Sequence, residues 1–108
     1  MAIILEGIKE LVWRKGTVIP GYDPEMWRQD FAGAWICKDA FGSHSDYGWE
    51  IEHIRPLSQG GEETIENLMP CQWQNNMAKA NNFPNFKSMI TSDGNRNVRK
   101  EQSWVIQR

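Results

Sequence analysis

Between Trp49 and Lys79 the chain sets a histidine beside a carboxylate, Glu52-His53, and then places two asparagines, Asn67 and Asn76, at intervals of 14 and 9 residues. The run Trp49-Glu-Ile-Glu-His53 alternates apolar with charged side chains, the period of a half-buried strand. Pro56 limits that strand, and Ser58-Gln-Gly-Gly61 reads as a flexible loop. Leu68-Met69 resumes extended structure before Pro70. From about Gln72 to Ala80 a helix is expected, with Trp73, Met77 and Ala80 at i, i+4 and i+7 as its apolar stripe and Asn76 beside that stripe. An amide turned inward there needs a hydrogen-bond partner or a metal.

The flanking segments read more plainly. Ile4, Leu5, Ile8, Leu11 and Val12 recur at helical spacing, so residues 3–14 form an amphipathic helix ended by Gly16. Asp23-Pro24-Glu25 has the makings of a helix start, an N-cap acid followed by proline in the first turn, and predicts a short helix from Pro24 to about Gln29 that points Trp27 inward. Ala34-Trp-Ile-Cys-Lys38 reads as a strand, separated from the next by the turn-rich Phe41-Gly-Ser-His-Ser-Asp-Tyr-Gly48. In the tail, Phe86 to Thr91, a turn at Ser92-Asp93-Gly94-Asn95 and a strand ending near Trp104-Val-Ile106 make a hairpin.

At 108 residues a single domain, 1–108, is expected, and a chain this short needs a dense aromatic core or an added tie such as a metal. Six Trp, four Phe and two Tyr supply the former and argue against disorder. Trp27, Trp35, Trp49, Trp73 and Trp104 are the expected packing residues. No run of roughly 18 apolar residues exists to span a membrane, and no secretory signal is visible. Cys37 and Cys71 are too few for a four-cysteine zinc site or a disulfide scaffold, and reduced, buried thiols in a cytoplasmic protein are expected.

The net charge of −2 does not suit avid nucleic-acid binding, but its distribution is uneven. Residues 1–76 carry −6 and residues 77–108 carry +4, so the C-terminal third could supply phosphate contacts.

His53 is the histidine in an ordered context, whereas His44 lies in a polar loop. An imidazole with an ordinary pKa near ~6.5 can take a proton from water around neutrality. Glu52 is a natural ligand for a hard divalent cation. Neighbours on a regular strand face opposite ways, so the two reach one site only at a strand end or bulge, and Arg55-Pro56 fits an end.

The pattern Glu50-Ile-Glu-His-Ile54, Pro56, Gly60-Gly61, Asn67-Leu68, Asn76 and Lys79 resembles the His-Asn-His (HNH) endonuclease signature over Trp49 to Lys79. Its spacing is similar to that in the HNH domain of RNA-guided CRISPR nucleases. Residues 17–82 also resemble small stand-alone HNH proteins with a Pro-Gly-Tyr-Asp-Pro segment, here Pro20 to Pro24. The resemblance implies an α+β fold with a ββα-metal core at about residues 49–79, flanked by the N-terminal helix and the C-terminal hairpin. It implies His53 as general base and Asn67 as the residue that holds the loop and keeps His53 oriented. Glu52 and Asn76 would be the metal ligands, with Glu52 standing where the family more often has Asp. Lys79 matches a frequent basic position of the family and would face nucleic acid; Arg55, which follows the base, would clamp a phosphate or else form a surface salt bridge. Many relatives carry Cys-x-x-Cys pairs around a structural zinc; this chain has none and would hold its hairpin by packing.

The expected activity is hydrolysis of DNA phosphodiesters with one divalent ion, Mg²⁺ or Mn²⁺ first and Zn²⁺ or Ni²⁺ as alternatives, leaving 5′-phosphate and 3′-hydroxyl ends. RNA as substrate and a homodimer or targeting partner are compatible with the sequence. The rival readings are a catalytically silent HNH-like module that binds nucleic acid or protein, and a structural domain in which the histidine and asparagines satisfy buried backbone.

Overall fold

A computed structural model describes residues 2–106, with the side chains of residues 2–5 outside the described set, so the packing expected of Ile4 and Leu5 lies outside the described residues. Helix α1, Ala2–Trp13, buries Val12 and Trp13 completely. Trp13 was not among the tryptophans expected to pack, yet it lies 5.2 Å from Trp49 and its indole N–H donates to Pro24 O at 2.9 Å. Val12, Trp13, Ile36, Trp49 and Leu68 make the core, with Ile8, Phe41, Ile51 and Ile65 against it. The last turn of a helix leaves carbonyls without intrahelical partners. Here Arg28, nearly buried, donates from Nη1 to Arg14 O and Gly16 O at 3.1 Å each. Gly16 is needed for that approach, because a Cβ there would sit 3.0 Å from Arg28 Cβ.

Strands β1 (Thr17–Val18), β2 (Trp27–Gln29) and β3 (Trp35–Cys37) form an antiparallel sheet in that order. The helix expected over Pro24 to Gln29 is absent. Asp23 does start a turn, its Oδ1 accepting from Glu25 N at 2.9 Å and its carbonyl from Met26 N and Trp27 N. The chain then extends, because Trp27, Arg28 and Gln29 pair with Cys37, Ile36 and Trp35. One local cap is outweighed by three residues of ladder and by the packing of Trp27 between Trp35 and Tyr47.

Strands β4 (Trp49–His53) and β5 (Leu68–Gln72) pair antiparallel from Trp49 opposite Gln72 to His53 opposite Leu68. β5 runs through Pro70, which a two-stranded ribbon tolerates because one edge of each strand needs no partner. The loop expected at Ser58-Gln-Gly-Gly61 takes a defined turn. Leu57–Gln59 forms a short 3-10 helix, and Gly60 closes it at φ 88°. A Cβ on Gly61 would fall 1.9 Å from Arg55 O, so that position admits no side chain without a rearrangement.

Helix α2, Trp73–Lys79, follows β5 directly. Gln72 is its N-cap, Oε1 accepting from Gln74 N at 2.8 Å and Asn75 N at 3.2 Å. The expected apolar stripe does not face in: Met77 is 68 % exposed, Ala80 is exposed and Trp73 is half-buried. The helix instead buries Asn75 and Lys79 completely. Asn75 reaches the hairpin of β6 (Asn85–Asp93) and β7 (Arg96–Val105) and spends all its side-chain hydrogen-bonding capacity on β6 and Asp30. Its Oδ1 accepts from Met89 N and Ile90 N at 2.8 Å, and Nδ2 donates to Ile90 O and Asp30 Oδ2 at 3.0 Å. The hairpin is the expected one, turning at Gly94 with φ 66°. Both cysteines are free thiols, and burial pushes the Cys71 thiol well up, in keeping with the core position expected of it.

Candidate active site

Glu50 and Glu52 share one face of β4, and α2 lies across that face. Asn76 Nδ2 donates to Glu50 Oε1 at 2.7 Å, and one turn further on Lys79 Nζ is 3.3 Å from Glu52 Oε2. His53 ends β4, and Ile54 N then donates to Asn67 O at 2.7 Å as the chain turns away. That strand end brings Glu52 and His53 to one cleft of about 200 Å³, lined also by Pro56, Leu57, Ser58 and Asn81.

His53 Nε2 lies 2.5 Å from Glu63 Oε1. A carboxylate can only accept, so Nε2 carries the hydrogen, and in the neutral ring Nδ1 is the basic nitrogen. Glu63 was missed by sequence reasoning. It is one of several acids in a polar loop, and nothing local marks it as the histidine's partner.

Asn67 is nearly buried and clasps the loop that joins the strands. Its Oδ1 accepts from Arg55 N at 2.8 Å, and its Nδ2 donates to Arg55 O and Glu62 O at 2.9 Å each. Arg55 is exposed, but its guanidinium folds back on its own loop, Nε donating to Gln59 O at 2.7 Å with the guanidinium carbon 5.6 Å from the Phe83 ring centre.

Lys79 differs most from expectation. Rather than facing nucleic acid it is fully buried, donating to His53 O at 3.1 Å, pairing with Glu52 and lying 5.0 Å from the Phe86 ring centre. A buried ammonium is held only where anionic or carbonyl oxygens replace its water, and all its neighbours here are internal. Burial pushes the Glu52 carboxyl up, against the opposing pull of Lys79.

Among the described residues no three of His, Cys, Asp and Glu converge as a metal cluster. The ligands expected from the sequence are Glu52 and the amide of Asn76. The donor kinds fit: both are hard oxygens, and among the described residues Asn76 Oδ1 has no hydrogen-bond partner. Asn76 does not line the His53 cleft, however, and its hydrogen bond is to Glu50 rather than Glu52.

The stretch that carries these side chains has a counterpart among known families. Residues 36–80 match the HNH endonuclease family. The match assigns an HNH endonuclease domain to that stretch, less than half of the chain, and supports a nuclease-like function in general. It runs from β3 to the end of α2 and includes Glu52, His53, Asn67 and Asn76; the mixed α+β fold is consistent with an HNH-like domain. No curated protein and no solved structure matched the chain.

Proposed function

We propose that the chain is a metal-dependent endonuclease acting on DNA, with β4, β5 and α2 as a ββα-metal core. The observation that carries this reading is His53 at the end of β4, in one cleft with Glu52, its Nε2 engaged by Glu63. Nδ1 of His53 takes the proton of a water whose oxygen attacks phosphorus. The bond from phosphorus to the 3′-oxygen breaks, and that oxygen takes a proton from solvent water, leaving 5′-phosphate and 3′-hydroxyl ends. Asn67 keeps His53 in place by fixing the loop that starts at Arg55. Glu52 and Asn76 would hold one divalent ion, which when bound stabilises negative charge on the phosphate and on the leaving oxygen. Lys79 offsets the charge of Glu52 from inside the domain. Arg55 is the exposed cation nearest the base in sequence and would meet the DNA backbone.

A plasmid-nicking assay with Mg²⁺, Mn²⁺, Zn²⁺ or Ni²⁺ tests the reading. Nicking is expected to vanish with EDTA and to fall about 10²- to 10⁴-fold in a folded His53→Ala variant, the range for loss of a general base. Wild-type protein inert with all four metals would sink it. The Lys79–Glu52 ion pair favours a second reading, a silent module that binds DNA without cutting it. Retarded DNA migration without nicking would select that one.

A further inference from the structure

Glu50 is a half-buried carboxylate with no ion pair among the described residues, and its one side-chain hydrogen bond is to Asn76. Partial burial of a charge without a cation is costly, and a single charge-assisted bond of 2.7 Å is what offsets it. That bond has a directional consequence. An ionised carboxylate only accepts, so it must meet the amide nitrogen, and the amide oxygen is turned to the other side. Oxygen is the atom a hard cation needs, whereas an untethered asparagine presents either end. The adjacent amide cannot serve in its place, because Asn75 uses both ends on Asp30 and β6.

We infer that Glu50 is a positioning residue that holds Asn76 with Oδ1 toward the cation, so that the metal centre depends on the Glu50–Asn76 hydrogen bond as well as on its two ligands. The inference rests on the metal-dependent reading above. Partners that orient a ligand typically change metal affinity by about 10- to 100-fold. Gln in place of Glu50 removes the charge and keeps an oxygen acceptor, but its NH₂ can also meet Asn76 Oδ1, so it relaxes the direction of the bond; Ala removes acceptor and charge together.

The test is Mn²⁺ affinity, followed by calorimetry and by the electron-spin signal of free Mn²⁺, in wild type and in the Glu50→Ala, Glu50→Gln, Asn76→Ala and Glu52→Ala variants. The same proteins without metal are followed by NMR at the Asn76 side-chain NH₂. Expected is a loss of about tenfold for Glu50→Ala, a smaller loss for Glu50→Gln, and losses at least as large as that of Glu50→Ala for the two ligand variants. The Asn76 NH₂ signal should lose its hydrogen-bonded shift in Glu50→Ala, and the affinity of Glu50→Gln should follow how much of that shift it keeps, while dispersed backbone resonances report that each variant folds. Wild-type affinity in Glu50→Ala with weakened Asn76→Ala would overturn the inference and leave the metal reading standing. A Glu50→Gln variant that keeps the hydrogen-bonded Asn76 NH₂ shift yet loses as much affinity as Glu50→Ala would also overturn it, since charge alone would then account for the effect. No Mn²⁺ binding by wild type, or none lost in Asn76→Ala and Glu52→Ala, would overturn both.

Discussion

Lys79 joins the chemistry of the site to the stability of the domain. Its ammonium is fully buried between the Glu52 carboxylate, the His53 carbonyl and the Phe86 ring. Replacing it with Met keeps the volume and leaves Glu52 without its cation. Removing one member of a buried pair costs more than the pair contributes, because the remaining charge is stranded. Lys79→Met is expected to lower unfolding free energy by about 3 kcal/mol. Urea denaturation checks this, and a midpoint equal to that of the wild type would show that Glu52 needs no counter-ion. From sequence, a lysine three residues after Asn76 reads as a phosphate contact. The glutamate it neutralises lies 27 positions earlier, and only the crossing of α2 over β4 brings the two together.

At the scale of elements, α2 shows why part of the site was legible and part was not. Its existence and extent follow from local signals, and so do β4 and the Gly94 hairpin. Its buried face does not, because apolar residues pack inward only when no set of polar partners competes. Here β6 offers two N–H groups and a carbonyl, and β4 offers a carboxylate, so Asn75 and Lys79 turn in and Met77 turns out. Asn76 was favoured partly for lying beside the apolar stripe. It is half-buried toward Glu50, whereas Met77 and Ala80 of that stripe are exposed and Trp73 stacks on His44, so the stripe gives no reason to single Asn76 out. The 24–29 segment was misread for a related reason, as β3 supplied a ladder that a single cap could not match. Asn75→Ala is expected to cost about 3 kcal/mol, since it strands two amides and a carbonyl of β6. The amides of Met89 and Ile90 should then exchange with solvent much faster than in wild type, and unchanged exchange would mean that the tie carries no load.

Across the whole molecule the separate pieces meet at Asp30. Its Oδ1 accepts from Ala32 N and Ala34 N, and its Oδ2 from Gln72 N and Asn75 Nδ2, each at 3.0 Å. The β2–β3 turn, the end of β5 and the start of α2 are thus fastened to one buried carboxylate, whose pKa burial raises against the pull of those donors. Asp30→Ala leaves four donors without a partner and is expected to remove about 4 kcal/mol of the roughly 5–15 kcal/mol typical of a domain. A thermal midpoint within a degree or two of the wild type would contradict this. Nothing around Asp30 in the sequence announces such a role, because its partners lie up to 45 residues away. Asn75 extends the same fastening beyond Ala80, where the HNH match stops, to Met89 and Ile90. The helix that carries Asn76 is only seven residues long, too short to persist by itself in water. The chemical signature is therefore not a portable cassette: transplanted as residues 36–80 alone, it would carry its reactive side chains without the buttress that keeps them in register.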